Sequence, residues 1–183
     1  MSQTKFIHQQ LIKKCKRNNR RAQLQVYDLY VEAMYKTAYS FTCDMAVAED
    51  LTQEAFLKAF TKIEQYKSTV TFGAWLKRIV INTCLDWLKK RKLHTEILDE
   101  NTKEALIAEE DWEVDNPISA EQIYTAIEKL PANYKTIAKL YLLEGYDHGE
   151  IADILNISEV SSRSQLCRAK DKLRKMLNSY NYV

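Results

Sequence analysis

The chain has 183 residues, with 27 Lys+Arg against 25 Asp+Glu and a net charge of +2. It contains 3 glycines and 2 prolines, where average usage would give roughly 13 and 9. Because tight turns between strands depend on these residues, the composition argues against all-β and doubly wound α/β folds. No apolar run is long enough to cross a membrane, and the N-terminus lacks an apolar signal region. We therefore expect a folded, cytoplasmic protein.

Charge divides the chain into three blocks. Residues 1–93 carry a net charge of +9, residues 94–116 carry −8, and residues 117–183 carry +1. The middle block has no long apolar period, and we interpret it as an acidic linker between two helical domains. A solvated acidic helix is the alternative, because residues 105–107 are apolar enough for a turn or two. The predicted fold is all-α, with two small helical domains.

The first block is predicted to be helical throughout. A short helix near residues 8–16 is followed by a turn at Asn18 and Asn19. The next helix shows an amphipathic stripe at three- and four-residue steps, formed by Leu24, Tyr27, Val31, Met34, Tyr35 and Ala38. Asp44 is a suitable N-cap for the following helix. A further helix is predicted from about Thr71 to Lys92.

Capping residues delimit helices in the last block. The first helix covers about residues 119–129. Pro131 starts the second, which ends at Gly145 because glycine tolerates positive φ. Asp147 and Glu150 form a start of the capping-box type for a short third helix.

A tight turn joins this short helix to the final one. Asn156 suits a left-handed turn, and Ser158 suits the cap of a helix running to about Leu177. This arrangement describes a helix-turn-helix, although a plain α-hairpin has the same periodicity. The final helix is rich in cations, and Arg163 lies near its N-terminal end, where the macrodipole disfavours a cation. The charge therefore favours a helix that reads DNA from that end.

No catalytic or metal-binding motif is visible. The four cysteines are far apart without a CxxC pair, and the three histidines are scattered. Nucleophile motifs and phosphate-binding loops are missing. We expect reduced thiols, no cofactor, no metal site and no enzymatic activity. His148, beside Asp147, is interpreted as a helix-start residue.

Two separated stretches resemble the sigma-70 family of sigma factors. Residues 126–134, 143–145 and 150–155 look like its C-terminal domain. Residues 48–60 resemble its polymerase-binding helix. The promoter-melting and minus-ten-reading helix is matched by residues 72–79 and 82–92. Order and spacing are those of the extracytoplasmic-function (ECF, group IV) class. The resemblance implies a region 2-like domain over residues 1–93, a linker over 94–116 and a region 4-like helix-turn-helix domain over 117–183.

The resemblance implies a transcription initiation factor whose partners are core RNA polymerase and promoter DNA. Asp50, Gln53 and Glu54 would meet the clamp helices of the polymerase β′ subunit, and the C-terminal domain would meet the β flap. The expected minus-ten residues are Phe72, Trp75, Lys77, Arg78, Asn82, Lys89 and Lys90. The expected minus-thirty-five residues are Ser161, Arg163, Ser164, Cys167 and Arg168. Such factors are commonly held inactive by an anti-sigma factor, which makes one a candidate partner.

Other interpretations stay open for these residues. The acidic group on residues 50–54 has the alternative of a solvated helix face. Phe72 and Trp75 have the alternative of ordinary core burial. For the whole chain, the alternative is a conventional helix-turn-helix regulator that acts outside the polymerase holoenzyme, or a polymerase-binding protein without promoter recognition.

The sequence departs from the family pattern at three positions of the helix-turn-helix. Asn156 stands where glycine is usual, and Gln165 stands where arginine is frequent. Ser162 stands where a β-branched apolar residue is usual, on the inner face of the last helix. If Ser162 is buried, the smaller side chain is expected to weaken packing by about 1 kcal/mol or more.

Overall fold

Both units of the chain are built from α-helices. The computed structural model describes residues 2–95 and 119–179, and side chains over 9–91 and 119–178. The chain divides into two units, Met1–Leu98 and Asp99–Val183. Within the described ranges every regular element is helical, so the all-α prediction is confirmed. None of the described helices is long and apolar enough to span a membrane.

Unit 1 contains four helices. They are α1 (Ser2–Lys16), α2 (Arg20–Thr42), α3 (Met45–Thr61) and α4 (Phe72–Thr95), with a 3-10 turn at Ile63–Gln65. Because α4 continues to Thr95, it extends two residues into the predicted linker. The remainder of that linker, residues 96–116, lies outside the described residues.

Side-chain caps fix where these helices begin. Asn19 Oδ1 accepts a hydrogen bond from the Ala22 N–H at 3.0 Å at the start of α2. Asp44 Oδ1 accepts from the Val47 N–H at 3.1 Å, which confirms the predicted cap of α3. Each cap satisfies a backbone donor that has no partner inside the helix.

The core of unit 1 lies where α2, α3 and α4 pack against one another. Its fully buried side chains include Val26 on α2 and Leu76 and Val80 on α4, and alanines on α2 and α3 are also fully buried. The predicted stripe of α2 is wrong at Leu24, which is 61% exposed. Residue 24 is two positions from both Ala22 and Val26, and a helix turns a side chain about 200° over two residues.

Over residues 119–179, unit 2 contains four more helices and one wider turn. They are α5 (Ala120–Glu128), α6 (Ala132–Ala138), α7 (His148–Leu155) and α8 (Glu159–Ser179), and a π-helical turn at Lys139–Leu143 continues α6. The central cluster of buried side chains comprises Ala126, Ile127, Leu130, Ala138, Ala169, Leu173 and Leu177. It joins α5 and α6 to the second half of α8.

The predicted capping and turn residues of unit 2 are largely confirmed. Asp147 and Glu150 form a complete capping box at the start of α7. Asn156 adopts the left-handed conformation, with φ of 55°. Ser158 Oγ accepts from the Ser161 N–H at 3.0 Å at the start of α8. Pro131 is the N-cap of α6 and precedes its first turn.

The π-helical turn is a feature that the helical pattern did not predict. Its defining hydrogen bond runs from the Glu144 N–H to the Lys139 carbonyl at 3.0 Å. Lys139 is buried, and its Nζ lies 2.6 Å from Glu128 Oε1. The Glu128 carboxylate also pairs with Lys135 at 3.3 Å. The turn thus begins at a buried cation that an acid on α5 neutralises.

Candidate polymerase and nucleic-acid interfaces

One side of α3 is polar and exposed. Asp50, Gln53 and Glu54 are all exposed, as three- and four-residue helical spacing requires. The intervening Leu51 and Ala55 are buried against the rest of unit 1. The structure therefore brings the three predicted polymerase-binding residues together on one surface, which we call the α3 face.

The α3 face is also partly apolar. Leu57, three residues after Glu54, is 69% exposed. Glu54 Oε1 lies 2.7 Å from Lys58 Nζ, so its carboxylate is held along the helix by an exposed ion pair. Sequence reasoning missed Leu57, although its spacing from Asp50 and Gln53 continues the same outward row.

Four aromatic rings cluster at the start of α4. Phe72 lies 5.6 Å from Tyr30 and 5.4 Å from Tyr66, measured between ring centroids. Trp75 lies 5.4 Å from Tyr66 and 5.5 Å from Phe72. A Cβ added to Gly73 would lie 3.0 Å from Tyr30 Cε1, so glycine allows this close approach. The cluster fixes the entry into α4.

The two residues of the predicted base platform, Phe72 and Trp75, differ in burial. Trp75 is half-buried, whereas Phe72 is 5% exposed. A solvent-facing role is therefore wrong for the Phe72 ring, which belongs to the core because Tyr30 and Tyr66 cover it. Phe72 instead packs against the Trp75 ring and supports it.

The segment that leads into α4 is tied to α1. Lys16 Nζ donates to the Tyr66 carbonyl at 3.0 Å, and the Tyr66 hydroxyl donates to the Val70 carbonyl at 2.8 Å. Sequence reasoning missed Tyr66, whose only signal was the density of aromatic residues between positions 66 and 75. These bonds position the aromatic cluster from outside α4.

Along α4, several predicted minus-ten residues share a narrow outward strip. Trp75, Arg78, Asn82 and Lys89 follow one another at three-, four- and seven-residue steps, and the last three are exposed. Lys90 is exposed at its edge. We call this set the α4 strip.

Two further α4 side chains lie outside this strip. Lys77 lies two positions after Trp75 and therefore points to another side of α4, and its contact with DNA stays a prediction. Trp87 is half-buried, and the Arg91 guanidinium carbon lies 5.3 Å from its ring centroid.

The predicted minus-thirty-five residues lie on the N-terminal half of α8. Arg163 is exposed, and the others are half-buried. The Arg163 guanidinium lies 3.2 Å from Glu159 Oε2, an ion pair that lessens the macrodipole conflict noted in the sequence. Ser161 Oγ accepts from Gln165 Nε2 at 3.0 Å. Ser164 and Arg168, spaced at i and i+4, face the same side of the helix.

Ser162 is fully buried, and its hydroxyl has a partner on α7. Its Oγ lies 2.9 Å from His148 Nδ1. The His148 ring stacks on Tyr141, with 4.9 Å between centroids and 28° between planes. His148 is the first residue of α7, as predicted, but sequence reasoning missed its contact with Ser162.

The cysteines differ in accessibility. Burial raises the pKa of the Cys15 thiol to about 11 and that of Cys84 to about 12, with the Glu54 charge as a smaller cause for Cys84. Cys43, which ends α2, is exposed. In the described ranges no disulfide joins any of the four cysteines, in agreement with the expected reduced thiols.

Comparison with known protein families matches both units in order. A model of sigma-70 region 2 matches residues 26–94, and a model of sigma-70 region 4 matches residues 120–173. The RNA polymerase sigma factor SigV of Bacillus subtilis is 30% identical, over 76% of this chain and 81% of its own length. The chain belongs to the sigma-70 family, in the ECF class. This sigma factor is therefore a transcription initiation factor that directs RNA polymerase to promoters.

Other relatives agree with this assignment. The ECF RNA polymerase sigma factor SigM of Bacillus subtilis is 29% identical, over 84% of this chain and 94% of its own length. The ECF RNA polymerase sigma-E factor of Haemophilus influenzae is 31% identical, over 68% of this chain and 71% of its own length. A conventional helix-turn-helix regulator is not favoured, because such a regulator has no sigma-70 region 2, which the first unit matches.

Two solved structures share the fold. CnrH, solved with the cytosolic domain of CnrY, superposes with a TM-score of 0.59 at 20% identity, over 94% of this chain and 97% of that one. The sigma factor RpoE from Bartonella quintana, solved with the anti-sigma factor NepR, also gives 0.59 at 22% identity, over 84% and 95% of the two chains.

Proposed function

We propose that three surfaces divide the work of this sigma factor. The α3 face binds the clamp helices of core polymerase, the α4 strip holds the minus-ten element, and the N-terminal half of α8 reads the minus-thirty-five element. The region 2-like domain then covers residues 1–93, the linker covers 94–116, and the region 4-like domain covers 117–183. The region 4-like domain also meets the β flap. The ordered region 2 and region 4 matches carry this proposal.

The composition of the α3 face supports polymerase binding. An exposed leucine beside acidic and amide groups combines an apolar contact with charges that set orientation. Leu57 supplies the apolar contact, and Asp50 and Gln53 supply polar groups on the same row. Because these side chains are already outside the core, binding requires no rearrangement of α3.

The α4 strip supports strand opening. Unstacking a base costs a few kcal/mol, and an aromatic platform returns about 1–3 kcal/mol per base. Trp75 is accessible and braced by Phe72 and Tyr66, so its ring is already ordered before a base arrives. Asn82 can pair with a base edge, and Arg78 can contact a phosphate.

The N-terminal half of α8 supports readout of duplex DNA. A recognition helix inserts this end into the major groove. Arg163 is exposed there, and Arg168 and Ser164 lie on the same half of the helix. One such module buries only about 600–1,000 Å² of protein surface on DNA, which suits weak binding that polymerase strengthens through effective concentration.

An anti-sigma factor is proposed as a further partner. Both structural relatives were solved with a second protein, and the partner of RpoE, NepR, is an anti-sigma factor. A partner of this kind acts by covering the α3 face or the N-terminal half of α8. Because these interactions take place where transcription occurs, we propose that this sigma factor acts in the cytoplasm.

In vitro transcription tests the proposal. Bacterial core RNA polymerase, with and without the full chain, is given templates randomised upstream of a reporter. We expect start sites and enriched sequences only when the chain is present, and weak gel shifts of the enriched DNA by the chain alone. Failure to associate with core polymerase, failure to initiate, or tight sequence-specific binding without polymerase would refute it.

A charge reversal locates the polymerase contact. Asp50→Lys on the α3 face is expected to weaken association with core polymerase at least tenfold. Glu32→Lys on α2 is the matched control, because Glu32 is also exposed and undergoes the same charge change. Equal losses for the two variants would show that overall charge, and not the α3 face, controls association.

A further inference from the structure

The junction between α7 and α8 contains a buried polar pair. Ser162 has no exposed surface, and its hydroxyl lies 2.9 Å from His148 Nδ1. A buried hydroxyl without a partner is costly, so the native packing requires these two side chains to stay together. The hydrogen bond joins the first residue of α7 to the first turn of α8.

The His148 ring is itself held in place. It stacks on Tyr141, and Lys170 Nζ of α8 lies 5.6 Å from the centroid of that tyrosine. The start of α7 lies beside the start of α8, since a Cβ on Gly149 would be 3.4 Å from Glu159 Oε1.

We infer that the hydrogen bond between His148 and Ser162 positions the N-terminal half of α8, and thereby sets the base preference of this sigma factor at the minus-thirty-five element. Apolar contacts tolerate small rotations, whereas a hydrogen bond restricts both distance and direction. Arg163 and Ser161, the proposed DNA-facing residues, are the immediate neighbours of Ser162. A rotation of α8 at Ser162 therefore moves them directly. The inference rests on the proposed role of α8 as the recognition helix.

Two substitutions separate the hydrogen bond from the ring. His148→Phe keeps a flat ring above Tyr141 but leaves the buried Ser162 hydroxyl without its partner. Ser162→Ala in the same chain removes that hydroxyl, so the double variant has no unsatisfied group. We expect His148→Phe to lose about tenfold in transcription from templates that carry the preferred minus-thirty-five element. The double variant should recover the stability of unit 2, because it buries no unsatisfied hydroxyl, but not the transcription, because it also lacks the hydrogen bond.

The decisive measurement is the base preference of the holoenzyme. Each variant is assembled with core polymerase and given templates randomised at the minus-thirty-five element, with the minus-ten element fixed. A positioning role predicts that His148→Phe changes the enriched bases and that the double variant, which also lacks the hydrogen bond, does not restore them. Loss of stability alone lowers the transcript yield without changing the preferred bases.

Three outcomes would overturn the inference. The first is an unchanged base preference in His148→Phe, and the second is a double variant whose base preference returns to that of the unsubstituted chain. The third is that the loss results from global unfolding of unit 2. Hydrogen exchange of the α8 amides, measured on the same samples, detects this unfolding. If the unsubstituted chain initiates nothing, the proposed function itself fails, which is distinct from these three results.

Discussion

Replacing Glu128 with glutamine removes the charge that balances the buried Lys139. The Lys139 side chain is 3% exposed, and its Nζ lies 2.6 Å from the Glu128 carboxylate. Removing one partner of a buried ion pair costs about 3–5 kcal/mol, because the other charge stays buried and uncompensated. The Glu128 side chain is 37% exposed, so solvent weakens this interaction and we expect about 2 kcal/mol.

Hydrogen exchange of the full chain measures this loss, because it reports the opening of unit 2 separately from unit 1. For a domain of this size, about 2 kcal/mol corresponds to a fall in melting temperature of roughly 8–16 °C. Lys135→Gln is the matched control, since Lys135 pairs with the same carboxylate at 3.3 Å but is 30% exposed. Its cost should stay below about 1 kcal/mol.

Lys139→Met completes the argument. It replaces a buried cation with an apolar side chain of similar length, and such replacements are often neutral or stabilising. Glu128 keeps Lys135 as a partner in this variant. The reasoning would be refuted if Glu128→Gln and Lys135→Gln cost the same, or if Lys139→Met were as destabilising as Glu128→Gln.

Three further predictions follow from other contacts. Trp75→Ala should reduce promoter opening about 5- to 150-fold through loss of about 1–3 kcal/mol of stacking, measured by permanganate reactivity of the minus-ten strand; the same loss in Trp87→Ala would contradict this. Asn156→Ala should destabilise unit 2 by about 1 kcal/mol, because its φ of 55° is left-handed, whereas Asn156→Gly should be nearly neutral by hydrogen exchange. Burial raises the pKa of Cys84 from 9.0 to about 12, so its contribution to stability is complete below pH 9 and is lost as the pH rises towards 12. Alkaline unfolding should therefore be less steep in Cys84→Ala, and an unchanged slope would contradict the assignment.

Helix boundaries could be predicted where a local rule decides them. Asp44, Asp147 and Ser158 cap helices with their own side chains, and each bond reaches a backbone N–H three residues away. Asn156 takes the left-handed conformation that its residue type permits. The outward position of Asp50, Gln53 and Glu54 on α3 was also predictable, because apolar residues lie between and beside them on the same helix.

The remaining features depend on contacts between residues far apart in sequence. Phe72 is buried because Tyr30, 42 positions earlier, covers it, and no local pattern contains that information. Lys139 is buried because α5 places Glu128 beside it. The contact between His148 and Ser162 required knowledge of the α7–α8 crossing, although an unusual serine on the inner face was a signal that something polar lay opposite.

The π-helical turn after Ala138 holds one residue more than an ordinary α-helix needs. Because such a turn is a one-residue insertion, the chain after it leaves in the direction that it would take from an α-helix one residue shorter. Unwinding the turn to an α-helix without removing a residue would instead rotate everything after it by about 100°. Loss of a single residue here should therefore disturb unit 2 less than a loss from the middle of α5 or α8, where the two flanks would rotate by that angle.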